Sequence, residues 1–414
     1  MNQTEARIFG FFVATMRREQ EWTLESLAHA THYSYSMIRS IEKGTSQIDK
    51  EGRDRFAKLF GFSGFLDNYD QKDTMQEKLQ HIQNAHNSLL RERRQALLQE
   101  ILSDRALAAS FLFPEYLLAV LFELVLSDGS QSQFTALCRQ MEPALEFFSV
   151  KELGQYYDLC GMHVEDPALK TRYFQQAFRY DPDSFLINLH MAMEAYFQQH
   201  LAEAMTCLDR CKARVFEFGS YSRFVQIALL EAQIQIDLGQ VDKALSCLHA
   251  LRGLECKKLD PYSSSEVLSL MAYASMRKND MKSALGYAEA GLQERSGHPT
   301  LYMVAIFAAF RLQDPRLPLF IHRAKDNMKL DDPFSRRMPW NHFIDGIAAW
   351  NEKKYREAIG QLELCCQTFE MDPLRSWMLD CLIELARKAE DTELAFHYQQ
   401  KRIDLFRIHM IREF

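Results

Sequence analysis

The sequence contains few of the residues that end regular structure. It has only 16 glycines and 11 prolines in 414 residues, both below the usual share in proteins. These residues are frequent in turns, and a protein with many strands needs many turns, so their scarcity argues against a many-stranded β protein. The sequence therefore predicts long helices joined by short connections.

The nine cysteines form neither a disulfide pattern nor a zinc-finger pattern. Their number is odd and no CxxC pair occurs, which is typical of a reducing compartment, where cysteine behaves as a small buried hydrophobe. Cys207 and Cys211 are one helical turn apart, but no Cys/His pair at finger spacing accompanies them. We therefore predict no metal and no other cofactor.

The sequence also lacks a segment that predicts a signal peptide or a membrane helix. Residues 1–16 have no basic start followed by an apolar core. The most apolar run, residues 111–126, is interrupted by one proline and two glutamates, and it is shorter than the ~20 apolar residues that span a bilayer. Together with the scattered cysteines, this predicts a cytoplasmic protein.

The net charge does not indicate a protein coated with basic residues, and the sequence motifs do not indicate an enzyme. The 49 basic side chains are outnumbered by 56 acidic ones, which gives a net charge of −7. Any contact with DNA must therefore come from a local surface. The sequence contains no GxSxG, P-loop, GxGxxG or HExxH motif, so we expect a protein that is not an enzyme.

Residues 1–66 have their own pattern of short helices. Thr23 and Ser34 are typical N-caps of the second and third helices, and Gly44 is typical of a helix end. This pattern predicts a small all-α domain. Its apolar stripes are Ile8, Phe11, Phe12 and Met16, then Ile38 and Ile41, then Phe56, Leu59 and Phe60.

A short motif ends the third of these helices. Ile41-Glu42-Lys43-Gly44 matches I-E-[KR]-G, and Leu27-Ala28, Ser34 and Phe60-Gly61-Phe62 fall in register with it. With these landmarks the segment resembles the Xre-type helix-turn-helix domains of phage repressors. The resemblance implies that one helix docks in the major groove of DNA. The residues that would contact DNA are Tyr35, Ser36, Arg39 and Lys43.

Two features distinguish the segment from that family. Leu24 stands where the family usually has a polar residue that touches a phosphate. Basic side chains outnumber acidic ones in residues 1–66 by only one. Because phosphate contacts supply most non-specific affinity, we expect weak binding by a monomer and tight binding by a dimer on two half-sites. The alternative interpretation of Arg39 and Lys43 is that they are merely solvated.

A helix-like stretch follows, and we predict a linker helix over residues 67–110. The basic cluster Arg91-Glu92-Arg93-Arg94 lies on it. Such a cluster can contact DNA, but acidic residues interleave this one, which favours a solvated face.

From about residue 150 onward the sequence is internally periodic. Each copy has a small residue, then mostly polar residues that include a turn, then a second alanine. Small residues let two helices of a pair approach closely, and only neighbouring pairs can cover their apolar faces. The pattern resembles tetratricopeptide (TPR) repeats, so residues 111–414 are predicted to be a TPR-like α-solenoid and the whole chain to be all-α. The clearest copies are residues 192–208, 232–248, 272–288 and 346–362.

The first helix of each pair lines the groove of such a solenoid. A mixture of amide, charged and aromatic side chains there suits an extended peptide, because amides bond its backbone and aromatic pockets take its side chains. The alternative interpretation is that each aromatic residue belongs to the core between repeats. The predicted peptide-binding residues are Asn188, Gln226, Gln233, Tyr273, Arg277 and Trp350.

An Xre-type domain followed by TPR-like repeats resembles the RRNPP family, including its Rgg-like members. The resemblance implies a cytoplasmic transcription regulator that binds a DNA operator and a short signalling peptide of the quorum-sensing type, and that forms a homodimer. We predict the dimer interface in the apolar C-terminal stretch Leu405, Phe406, Ile408, Met410 and Ile411. The alternative is a peptide- or protein-binding scaffold that sequesters a partner protein and binds little DNA.

Overall fold

The structure is a computed structural model, and it describes residues 1–127, 129–218, 220–253, 261–295, 298–327, 340–368 and 373–412. Within these ranges, the side chains of residues 218, 261, 262, 368, 373, 374, 376 and 405–412 are not described. In this part of the chain no β-strand occurs. The predicted all-α fold class is confirmed.

The described ranges contain 22 α-helices. In chain order they are Gln3–Glu19 (α1), Leu24–Thr31 (α2), Tyr35–Glu42 (α3), Lys50–Leu59 (α4), Lys72–Asn87 (α5), Arg91–Ser103 (α6), Phe113–Leu126 (α7), Gln131–Met141 (α8), Val150–His163 (α9), Pro167–Tyr180 (α10), Phe185–Phe197 (α11), Leu201–Arg214 (α12), Tyr221–Asp237 (α13), Val241–Gly253 (α14), Pro261–Arg277 (α15), Met281–Glu294 (α16), Pro299–Leu312 (α17), Leu317–Asn327 (α18), Trp340–Asn351 (α19), Tyr355–Thr368 (α20), Pro373–Lys388 (α21) and Thr392–Arg412 (α22).

The chain divides into two compact units. Unit 1 comprises Met1–Met191 and Arg214–Ser220, and unit 2 comprises Ala192–Ala213 and Tyr221–Phe414. In unit 2, α13 packs on α14, α15 on α16, α19 on α20 and α21 on α22, while the first helices α13, α15, α17 and α19 pack in succession. This is the arrangement of a TPR-like α-solenoid, as the repeats predict.

The small residues of the repeats lie where their helices touch. The second alanine of each clear copy is fully buried, and an added Cβ at Gly346 would lie 2.8 Å from the side chain of Leu362. Close approach of the paired helices is therefore the reason for the small residues. The four alanines are Ala204, Ala244, Ala284 and Ala358.

In six of the helix pairs, a residue with left-handed backbone conformation ends the first helix. At each of these positions φ lies between 55° and 76°, and the next N–H returns to a carbonyl five residues earlier, as Gln240 does to Gln235 at 2.7 Å. This is the Schellman motif, which turns the chain directly into the second helix. The residues are Gln199, Gly239, Asn279, Gln313, Lys353 and Glu390.

Residues 67–110 contain two packed helices, α5 and α6, so the single linker helix predicted there is wrong. The chain reverses at Leu89, where φ is 58°. Leu79 of α5 and Leu98 of α6 are at most 1% exposed and belong to the same core. A straight helix would hold them about 28 Å apart at ~1.5 Å per residue. The reversal is what allows both leucines to be buried.

The first four helices share one apolar core with the helices that follow them in unit 1. This core extends along the chain from Ile8 to Cys160. The ring of Phe113, at the start of α7, lies 5.4 Å from each of the rings of Phe11 and Phe12. Residues 1–66 are therefore packed against the rest of unit 1 through buried aromatic contacts.

A buried ion pair connects α5 to α7. Glu115 is 0% exposed, and its carboxylate lies 3.0 Å from Nζ of Lys72. The same Nζ donates to the backbone oxygen of Phe147 at 2.7 Å. Burial raises the pKa of Glu115 to about 7, although Lys72 opposes that shift.

This raised pKa predicts a pH-dependent stability. The ordinary pKa of a glutamate is 4.5, so between that value and about 7 the folded protein holds a proton that the unfolded chain releases. The contribution of Glu115 to the free energy of unfolding is therefore present at low pH and is lost as pH rises. Between about pH 5.5 and 7.5 we expect wild type to lose roughly 2 kcal/mol of unfolding free energy relative to Glu115→Gln. Urea unfolding at the two pH values measures this, and parallel profiles would contradict it.

Candidate functional site

Helices α2 and α3 are joined by a short turn that exposes one face of α3. His32 adopts φ of 57° at the end of α2, and Oγ of Ser34 then caps α3 by accepting from the N–H of Met37 at 3.2 Å. Ile38 and Ile41 are fully buried and fix the inner face of α3. The opposite face is left to solvent.

All four residues predicted to contact DNA lie on that exposed face. Tyr35 is 45% exposed, and Ser36, Arg39 and Lys43 are also exposed. Within the described residues, neither Arg39 nor Lys43 forms an ion pair or a side-chain hydrogen bond. These two cations are therefore available to an anionic partner.

The acidic residue on α3 is neutralised by a partner that the sequence did not reveal. Glu42 accepts from Nε and Nη2 of Arg17 at 2.5 and 3.2 Å, and Arg17 also donates to the backbone oxygen of Trp22 at 2.9 Å. The hydrogen bond with Glu42 raises the pKa of Arg17. Both side chains are mostly buried, so the exposed face of α3 carries the positive charge of Arg39 and Lys43.

Two glycines allow α1 to cross the end of α3. An added Cβ at Gly10 would overlap the carbonyl oxygen of Ile41 and lie 3.0 Å from that of Glu42. Gly44 has φ of 67°, and a Cβ there would lie 2.6 Å from Cα of Arg7. The motif that ends α3 thus has a structural role: Ile41 is core, Glu42 is paired and Gly44 permits the contact with α1. Gly10 was missed by the sequence analysis.

The six predicted peptide-binding residues are not all accessible, so the predicted helix phase needs correction. Asn188, Tyr273 and Trp350 are 2–3% exposed and do not line an open surface. Two cationic side chains cover the ring of Trp350: Cζ of Arg311 lies 5.3 Å and Nζ of Lys388 lies 5.6 Å from its centroid. Helices inside a solenoid are covered by neighbours on more than one side, so a helical stripe does not reveal which side is open.

Asn188 has a structural role in unit 1. Its Nδ2 donates to the backbone oxygens of Pro182 and Ser184 at 2.7 and 2.8 Å, which secures the start of α11. We expect Asn188→Ala to lower the unfolding free energy by about 1–3 kcal/mol, because the carbonyl of Pro182 loses the side-chain donor, whereas the carbonyl of Ser184 keeps the backbone N–H of residue 188. Gln226→Ala, at an exposed position, should change it by less than about 0.5 kcal/mol. Thermal or urea unfolding tests this, and equal effects of the two substitutions would contradict the role.

On the first helices of unit 2, Gln226 is exposed, and Gln233 and Arg277 are partly exposed. Oε1 of Gln226 accepts from Arg223 at 2.8 Å. Nε2 of Gln233 lies 3.5 Å from Asp237. Nη1 of Arg277 donates to the phenol oxygen of Tyr273 at 3.2 Å, so buried Tyr273 positions the guanidinium.

Polar contacts connect the first helices of unit 2 along one face. The phenol of Tyr196 donates to Asp237 at 2.9 Å. Burial lowers the pKa of Arg277, but Tyr273, Asp237 and Asp380 together outweigh burial and raise it. Polar and charged side chains from α11, α13, α15 and α21 therefore lie close enough to interact electrostatically.

A cavity of about 340 Å³ opens on this surface. Residues of α15, α16, α17, α21 and α22 line it, so helices about one hundred residues apart in sequence meet around it. Arg311 donates to Glu384 at 2.5 and 3.0 Å, and Arg402 lies 2.9 Å from Asp380. The cavity has charged walls. Met276, Phe307 and Trp377 also line it, and of these three Trp377 is the one that is partly exposed.

Other expectations concern metals, membranes and the C-terminus. In the described part of the chain, no group of three or more His, Cys, Asp and Glu side chains is placed to hold a metal, and burial raises the pKa of both Cys207 and Cys211. Among the described residues, no helix has the length and apolar character needed to cross a bilayer. The predicted dimer stretch lies outside the residues whose side chains are described. It comprises Leu405, Phe406, Ile408, Met410 and Ile411.

Comparison with protein families and curated proteins finds no relative. No family model matches the chain, and no curated protein matches it.

Several solved structures have a similar fold. A Rap protein complexed with competence and sporulation factor has a TM-score of 0.64 at 14% identity, covering 82% of this chain and 99% of that chain. The apo form of the quorum sensor NprR from B. thuringiensis has a TM-score of 0.64 at 15% identity, covering 81% and 99%. NprR in complex with its cognate peptide NprX has a TM-score of 0.60 at 14% identity, covering 82% and 99%. At such identity the likeness shows the fold: the chain is a TPR-like α-solenoid similar to those of Rap and NprR.

Proposed function

We propose that the chain is a cytoplasmic, DNA-binding transcription regulator that is not an enzyme and whose TPR-like region senses a short signalling peptide. The observation that carries the proposal is the presence of two separate surfaces in one chain. Unit 1 exposes the cationic face of α3, and unit 2 opens a charged cavity on its first helices. Operator DNA suits the first surface and an extended peptide suits the second.

The DNA-binding part is supported by the geometry of α3. A major groove admits one α-helix, and arginine is the side chain that most often reads a base edge there. Arg39 lies in the middle of the exposed face, with Tyr35 and Ser36 before it and Lys43 after it. Arg39 and Ser36 are assigned to base contact and Lys43 to a phosphate.

The peptide-sensing part is supported by the fold and by the accessible polar residues of unit 2. Rap and NprR, which share the fold, are described in complex with competence and sporulation factor and with the peptide NprX. Of the six candidate residues, Gln226, Gln233 and Arg277 are those whose side chains are at least partly exposed. Amides and a guanidinium pair well with an extended backbone.

Homodimerisation is supported by charge and by the last described helix. The first 66 residues have almost no net charge, so two copies on one operator are needed for tight binding. Phe396 and Ile403 of α22 are 68% and 42% exposed. They are seven residues apart and therefore share a helix face, which leads into the predicted interface beyond residue 404.

The test is a salt-titrated gel shift on DNA upstream of the protein's own gene, with and without candidate peptides of about five to ten residues, a span of two or three helices at roughly 10 Å each. We expect specific binding by a dimer, and a change in operator affinity when the peptide binds. Light scattering of the same sample gives the mass. Peptide binding without any DNA binding would instead favour the scaffold that sequesters a partner protein.

A further inference from the structure

The cavity of unit 2 carries one more positive than negative charge. Arg277, Arg311 and Arg402 face it, together with Asp380 and Glu384. Its walls thus have an excess of one positive charge, which suits a ligand with a single negative charge. A ligand with two negative charges would meet repulsion from both carboxylates.

The three arginines differ in how their hydrogen-bond donors are used. Arg311 is held by two hydrogen bonds to Glu384 and lies over the rings of Phe307 and Trp350 at 5.0 and 5.3 Å. Arg402 is held by Asp380 at 2.9 Å. These two guanidinium groups are already engaged by carboxylates of the protein.

Arg277 is the exception. Within the described residues its one side-chain hydrogen bond goes to the phenol of Tyr273, and no carboxylate lies within ion-pair distance of it. A guanidinium has five N–H donors in a planar fork, so most of those of Arg277 are unused. Tyr273 is 3% exposed and holds the fork at the cavity wall.

We propose that this cavity captures a carboxylate of the signalling peptide and that Arg277 binds it. This inference rests on the proposed peptide-sensing function. The planar guanidinium of arginine and a carboxylate form two parallel, charge-assisted hydrogen bonds. An uncharged peptide end cannot form this pair of bonds. The carboxylate is either the C-terminus of the peptide or an aspartate or glutamate side chain.

The size and walls of the cavity agree with capture of part of a peptide. Its volume of about 340 Å³ is near the lower end of the ~300–1,000 Å³ range of small-ligand pockets, so it takes one end or one side chain. Trp377, which is partly exposed, supplies apolar surface beside Arg277. The adjacent residue of the peptide is therefore expected to be apolar.

The test uses the full-length protein and three pools of N-acetylated hexapeptides. All are randomised over uncharged residues. One pool has a free C-terminal acid, the second has a C-terminal amide, and the third has a C-terminal amide and one aspartate at a varied position. Bound peptide is measured by equilibrium dialysis and mass spectrometry. We expect at least about tenfold more retention of a carboxylate-bearing pool than of the uncharged amide pool.

Arg277→Gln should reduce that retention to the level of the amide pool. Arg323→Gln removes the same charge from an exposed site on α18 outside the cavity, and it should bind as wild type does. The wild-type comparison of acid with amide needs no variant, so the test survives if Arg277→Gln misfolds. Circular dichroism checks the fold of both variants.

Each outcome has a distinct meaning. Preference for the free-acid pool alone supports capture of the C-terminus, and preference for the aspartate pool alone supports capture of a side chain. Equal retention of all three pools, unchanged in Arg277→Gln, overturns carboxylate capture and leaves peptide sensing intact. Retention of no pool overturns peptide sensing and this proposal with it.

Discussion

Gly10→Val is expected to destabilise unit 1 by about 3 kcal/mol or more and to abolish specific DNA binding. The first added atom would overlap the carbonyl oxygen of Ile41. A backbone oxygen cannot rotate away as a side chain does, so α1 or α3 must shift. Because α3 carries the proposed DNA-contacting face, the shift changes both stability and presentation of that face. Urea unfolding and the gel shift measure the two effects.

Two substitutions control for this result. Thr4→Val places valine at an exposed position of the same helix, so it should leave stability and DNA binding nearly unchanged. Gly286→Ala adds a Cβ in open space on α16, and it should stabilise the protein by about 0.5–1 kcal/mol through helix propensity. Wild-type stability of Gly10→Val would show that α1 does not cross α3 as closely as the structure places it.

Arg39→Ala is expected to weaken operator binding by about 1–3 kcal/mol per half-site, and so by roughly 2–6 kcal/mol for a dimer. The side chain is exposed and has no partner among the described residues, so the melting temperature should stay as in wild type. Affinity for unrelated DNA should fall much less, because a base-reading arginine acts on the specific sequence. Gel shifts on operator and scrambled DNA measure the difference.

Lys43 and Lys58 provide the comparison. Lys43→Ala should weaken binding to both DNAs alike and reduce the salt slope by about 1, since it is assigned to a phosphate. Lys58→Ala removes one positive charge from an exposed site on α4. It should have little effect on the ratio of operator affinity to scrambled-DNA affinity. If Arg39→Ala lowers both affinities equally, Arg39 contacts the backbone and does not read a base.

The arrangement of α3 could be predicted because its signals are local. Ser34 caps the helix, the two isoleucines are buried, and Tyr35, Ser36, Arg39 and Lys43 face outward. Partners of the motif lie elsewhere in the chain. Gly10 and Arg17 touch its last residues, and nothing at residues 34–44 specifies which glycine or arginine will do so.

The accessibility of the candidate peptide-binding residues was harder to predict because it depends on which helices pack beside them. Asn188 and Gln233 both carry amide side chains, yet Asn188 is buried against backbone carbonyls and Gln233 stays partly exposed. The cavity itself combines Arg277 with Asp380 and Glu384. Residues so far apart in sequence meet only because the first helices of unit 2 pack in succession.

The sequence alone determined the helical class and the repeat spacing. Scarce glycine and proline favour helices, and the small residues that recur every 40 positions, at Ala204, Ala244 and Ala284, are those that paired helices require. Tertiary structure alone decided the reversal at Leu89 and the open face of the first helices. A helical period fixes which residues share a stripe, whereas burial of a stripe depends on which helices pack beside it.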